Sequence, residues 1–184
     1  MRMKKVFDAR RLDVKAFADE GAELSAADRL GTHPRLMAET AGRGADVALT
    51  WSAIGELRNP QHLHPEIWLR LKAGTVLPLT CQRCLGPVDV PVEVERPFRF
   101  VEDESTALAQ DDSSEEDLLA LSHSFDLVEL IEDELLMDMP VAPRHEVCPE
   151  PVKLAVADED FEAAAPEREN PFAMLKRFKP GRGS

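Results

Sequence analysis

At 184 residues, 43% of them hydrophobic, the chain is long enough for one core with tails or at most two small domains. Three cysteines are an odd count that excludes an extracellular disulfide framework. No apolar run approaches the roughly 20 residues that span a bilayer, and none follows the basic start at Met1–Asp8 as a signal peptide would, so a cytoplasmic protein with no membrane partner is expected. The net charge of −13 is confined: residues 100–143 hold 14 acids and no Lys or Arg, which leaves a near-neutral first half able to meet phosphate.

Residues 1–45 read as a mixed N-terminal segment. Asp13 is placed to cap a short helix that Gly21 breaks. A second helix is expected to begin within Ser25–Leu30 and stop near Gly31 and Pro34, and Ala41–Gly44 is a loop by its glycines.

Residues 46–148 are expected to form an α+β core. Val47, Leu49, Trp51 and Ala53 occupy alternate positions, as do Ile67, Leu69, Leu71 and Ala73. Val88, Val90, Val92, Val94, Phe98 and Phe100 then fall on even positions, with Asp89, Pro91, Glu93, Glu95, Pro97 and Arg99 on odd ones. A period of two marks a strand with one buried face. Pro91 and Pro97 cannot donate to a ladder, so the third strand is expected at an edge or with a bulge. Successive strands without helical crossovers predict an antiparallel sheet.

Residues 102–124, centred on Asp111-Asp-Ser-Ser-Glu-Glu-Asp117, are expected as an acidic flexible loop with a brief helical turn at Leu118–Leu121. Its charge suits either a solubilising insert or an imitation of a nucleic-acid backbone that shields a basic partner. Phe125–Met139 carries the strongest helix signal. Asp126 is placed as the N-cap with Glu129 three residues on, and Pro140 ends the run. Leu127, Leu130, Ile131, Leu135 and Met139 share a face, which assigns Glu129, Glu132, Asp133 and Glu134 to solvent rather than to catalysis. Residues 149–184 read as a Pro/Ala/acidic linker and a basic tail, with a helix expected at Asn170–Lys179 behind Pro171. The predicted fold is therefore α+β: an antiparallel β-sheet with a packed amphipathic helix, an acidic flexible loop and a C-terminal tail helix.

The chemistry-bearing stretch is Leu79-Thr-Cys-Gln-Arg-Cys-Leu-Gly-Pro87, where Cys81 and Cys84 stand three positions apart between two strands. Such a pair is either a pair of free buried thiols at a strand end or half of a metal site. A catalytic dithiol is disfavoured, because that motif needs a cysteine at a helix N-terminus. Cys148 lies 64 positions beyond Cys84, with His145 three residues before it. Cys81, Cys84, His145 and Cys148 are the right kind and number of ligands for one tetrahedral Zn²⁺. The sequence holds no Ser/His/Asp nucleophile arrangement and no glycine pattern of a phosphate loop, so neither an enzyme nor a small-molecule substrate is expected.

Three motifs in order resemble the YceD family of large ribosomal RNA subunit accumulation proteins. They are Leu79-Thr-Cys-Gln-Arg-Cys-Leu85, then Phe125-Asp-Leu through Ile131-Glu-Asp-Glu-Leu-Leu to Pro140-Val, Pro143, His145 and Cys148, then Asn170-Pro-Phe-Ala-Met-Leu175. The resemblance covers roughly residues 45–178. It implies a non-enzymatic ribosome-biogenesis factor that supports synthesis, processing or accumulation of large-subunit rRNA, with that rRNA or a pre-ribosomal particle as partner. Some relatives look richer in cysteine at the second motif, where this chain keeps only Cys148, so a four-ligand site must recruit His145 or water. The alternative is an acidic escort for a basic ribosomal protein, with little direct RNA contact.

Overall fold

The computed structural model describes residues 6–149. The expected tail helix at Asn170–Lys179 lies outside them. The elements are α1 (Val14–Asp19), β1 (Glu23–Arg29), a 3-10 turn (Leu30–Thr32), α2 (Pro34–Glu39), β2 (Ala48–Arg58), β3 (Glu66–Thr80), β4 (Pro87–Val101), α3 (Glu104–Asp111), β5 (Asp117–Ala120) and α4 (Leu127–Asp138). The fold is α+β, with a five-stranded sheet in the order β1-β2-β3-β4-β5; β1 to β4 are antiparallel and β5 adds in parallel.

The period-two stretches become β2, β3 and β4, and their apolar positions share one sheet face. Leu49, Trp51, Ala53, Ile67, Leu69, Leu71, Ala73, Val92, Val94, Phe98 and Phe100 are all buried there. The helices close that face. Ile131 and Leu135 of α4 and Phe17 of α1 are fully buried in the same cluster. Asp126 caps α4 by accepting from the amides of Val128 and Glu129, at 2.9 and 3.0 Å. Leu12 and Phe125 exchange both backbone hydrogen bonds, which fastens the N-terminal segment to the start of α4.

One close approach sets the packing of α1. An added Cβ on Gly55 would sit 2.7 Å from both the ring and the carbonyl oxygen of Phe17. Only a residue without a side chain allows β2 and α1 to come that near.

The hairpin of β3 and β4 pairs 14 residues of each strand, from Ile67↔Phe100 to Thr80↔Pro87, without a bulge. Among the described residues the edge expectation for β4 holds over most of its length, since β5 covers only Phe98–Val101. Outer-side bonds fix its orientation. The carbonyl of Pro87 accepts from His145 and that of Val101 accepts from the Leu121 amide. Odd-numbered residues of β4 therefore direct their backbone outward, and Pro87, Pro91 and Pro97 are all odd.

Three expectations are corrected. Ser25–Leu30 does not start a helix: Glu23–Arg29 is β1, paired along its whole length with β2. Alanine favours a helix here, but pairing to an existing strand decides the outcome. Residues 102–124 are not simply a loop, because α3 follows an Asp103 cap and β5 joins the sheet. Glu132 and Glu134 do not face solvent, and each is only 6% exposed. Glu132 accepts from the Arg35 amide at 3.0 Å, and Glu134 accepts from Arg96 at 3.0 Å. That hydrogen bond to Glu134 raises the Arg96 pKa above its ordinary value. Buried carboxylates are tolerated when paired in this way.

Candidate metal centre

The closed end of the β3–β4 hairpin is a six-residue turn, Cys81–Gly86. Its first amide, on Cys81, donates to the Gly86 carbonyl at 2.9 Å, and the Leu85 amide donates to the Cys81 carbonyl at 2.9 Å. Leu85 takes a left-handed φ of 61°, which reverses the chain so that Cys81 and Cys84 present their sulfurs on one side. Beyond α4, Pro140 ends the helix and the chain returns to the turn, where the Gln82 amide donates to the Pro143 carbonyl at 2.8 Å. That return brings His145 and Cys148 to the cysteine pair.

The four ligand atoms lie within 4.8 Å of one another. Cys81 and Cys148 Sγ are 4.0 Å apart, and Cys84 Sγ is 3.4 Å from His145 Nδ1. Tetrahedral bonds of about 2.3 Å to sulfur and about 2.0 Å to nitrogen require donor separations of roughly 3.5–3.8 Å. The two measured edges bracket that range. His145 Nε2 lies 2.9 Å from the Pro87 carbonyl, which can only accept, so Nε2 carries the proton and Nδ1 presents its lone pair to the cluster. All four candidate ligands are thus brought together, in a tautomer and spacing that suit one tetrahedral ion.

The electrostatics agree with the geometry. Burial works to raise the Cys81 thiol, but the backbone N–H groups of Cys84, Arg83 and His145, helped by the Cys84 side chain, bring it down to about 5. At Cys84 the Gly86 amide favours the thiolate. Burial and the neighbouring Cys81 and Cys148 outweigh it, so that pKa is raised. The backbone amides thus favour a thiolate at Cys81, and the crowding of further thiolates beside it is what a divalent cation would relieve.

Arg83, between the two cysteines, carries no ligand atom, and sequence spacing gave it no role. Its Nε donates to Cys148 Sγ at 3.1 Å, and its Nη2 donates to the carbonyls of His145 and Glu146 at 2.7 and 3.2 Å. The hydrogen bond to Cys148 raises the Arg83 pKa above its ordinary value. Its partners lie more than 60 positions away, so no local signal could have found it.

The profile of the family described as large ribosomal RNA subunit accumulation protein YceD matches residues 69–179. The chain belongs to that family. The YceD match takes in most of β3, all of β4 and α4, and every residue of the four-ligand cluster. It begins after α1, β1, α2 and β2. No curated protein and no solved structure matches the chain. The family's name ties it to accumulation of large-subunit ribosomal RNA.

Proposed function

We propose that the chain is a non-enzymatic assembly factor for the large ribosomal subunit, whose hairpin end is fixed by one structural Zn²⁺ held by Cys81, Cys84, His145 and Cys148. The observation that carries the reading is a donor set with four protein ligands. Catalytic zinc sites usually have three protein ligands and keep a position open for water or substrate, whereas structural sites are filled by the protein. Here the ion would supply a cross-link between the β3–β4 turn and the segment after α4. Metal analysis of protein purified without chelator should give near-equimolar zinc, reduced in Cys81→Ser. Zinc-free wild type, with the fold intact, would overturn the metal assignment.

The partner in this proposal is large-subunit rRNA or a precursor particle, in keeping with the family name. Capture from lysate with and without nuclease tests it. Association lost on nuclease treatment supports an RNA-containing partner.

One observation favours the escort reading as an alternative. Glu104, Asp111, Asp112 and Glu115 are exposed along α3 and the turn into β5, and β5 anchors that turn on the sheet. An anchored acidic surface suits a basic ribosomal protein, with an attraction that fades as salt shortens the Debye length to about 8 Å at physiological ionic strength. Association that survives nuclease with a single small basic protein, and weakens when Asp111, Asp112 and Glu115 are made neutral, would support it over RNA contact.

A further inference from the structure

We infer that Arg83 is the positioning residue that docks the His145–Cys148 segment onto the Cys81–Cys84 turn and balances the charge of the third thiolate. The inference rests on the metal reading above and assigns a role to a residue outside the ligand set.

Two halves of a ligand set separated by 61 positions, from Cys84 to His145, do not stay together without contacts of their own. Two kinds of contact bring the second half in. Backbone and imidazole bonds, from Gln82 to Pro143 and from His145 to Pro87, hold the stretch up to residue 145. Beyond it, the guanidinium of Arg83 reaches three acceptors at once: the carbonyls of His145 and Glu146, and the sulfur of Cys148. None of these bonds requires an ion. A planar fork with several fixed donors suits two carbonyls and a thiolate together, which a lysine ammonium on a flexible stem does less well.

The charge balance points the same way. Three thiolates and a neutral imidazole around a divalent ion leave one net negative charge. Arg83 sets one positive charge against the least enclosed part of the cluster, since Cys81 is fully buried while Cys84 and Cys148 are half-buried. An N–H donated to a ligating sulfur also withdraws electron density from it, so losing the donor changes the metal–sulfur bond as well as the position of the ligand.

The test compares the full chain with Arg83→Met, which keeps bulk without charge, and Arg83→Lys, which keeps charge without the fork. Three readouts are taken: Zn²⁺ affinity by competition with a chromophoric chelator, the thiolate-to-metal band of the Co²⁺ form, and the limiting rate of Cys148 alkylation by iodoacetamide in metal-free protein. That rate is taken at a pH where the thiol is fully ionised in every variant, so that it reports access and not the thiolate fraction. For Arg83→Met the expected results are an affinity loss of about tenfold or more, a Co²⁺ band at lower energy, and Cys148 alkylation at least about threefold faster, with Arg83→Lys intermediate. A merely structural loss would lower the melting temperature without moving the band. Wild-type zinc binding with an unchanged affinity and band in Arg83→Met overturns the inference. If wild type binds no metal, the metal reading fails, and with it the charge-balancing role. The alkylation rate then decides the docking role alone, faster labelling in Arg83→Met supporting it and an unchanged rate overturning it.

Discussion

The two ends of the β3–β4 hairpin are held by different physics. At the Ile67–Phe100 end, Phe100 packs edge-on against Phe125 with ring centroids 5.3 Å apart, and β5 and α4 complete an apolar enclosure. At the Thr80–Pro87 end, a short turn and the segment after α4 meet through sulfurs, an imidazole and one guanidinium. The first end needs no ligand, because apolar area removed from water is its own driving force. The second also buries apolar area, with Leu77, Leu79, Cys81 and Val88 in the same core cluster, but it adds three sulfurs and an imidazole within reach of one ion. The part of the stability that depends on a ligand should therefore lie at that end.

Substitutions can break or sharpen that contrast. Ile131→Ala should have the largest effect, about 2–5 kcal/mol by urea denaturation, since Ile131 is fully buried under the sheet. Its folded fraction should bind zinc as wild type does; a weakened site would show that the two ends are coupled. Gly55→Val should cost about 1–3 kcal/mol in thermal unfolding, because the new side chain overlaps Phe17. Asp126→Ala, which leaves the Val128 and Glu129 amides without their cap, should cost about 1 kcal/mol. Cys148→Ser should do least: in chelator its unfolding should stay within about 0.5 kcal/mol of wild type, while its zinc content falls. A large destabilisation of the metal-free protein by Cys148→Ser would mean that the ligand end already carries folding energy without its ion.

Much of the apolar core was legible in the sequence, because period two and period 3.6 are local signals. Val88–Phe100 and Leu127–Leu135 report their buried faces through spacing alone. β1 was missed because Glu23-Leu-Ser-Ala-Ala-Asp-Arg29 has small and polar side chains and becomes a strand only through its neighbour β2. β5 has four residues, too few to show a period, and parallel pairing gives no turn signature. The burial of Glu132 and Glu134 depends on Arg35 and Arg96, nearly 100 and 38 positions away. At the ligand end, the identities of Cys81, Cys84, His145 and Cys148 suggested a ligand set, but spacing could not say whether they meet. Arg83 was invisible because two of its three acceptors are backbone carbonyls, which every residue has.

The prolines of β4 have a consequence for association between chains. An exposed strand edge is a template on which a second strand can add, and sheet proteins need some defence against it. Of the six odd positions from Pro87 to Pro97 whose backbone points outward, three are proline, and the others are Asp89, Glu93 and Glu95. An incoming strand would find every second or third donor missing, and acidic side chains at the rest. This long edge is thereby protected from sheet-to-sheet polymerisation by its own sequence, and the part of β4 that no strand among the described residues covers need not become a seed for aggregation.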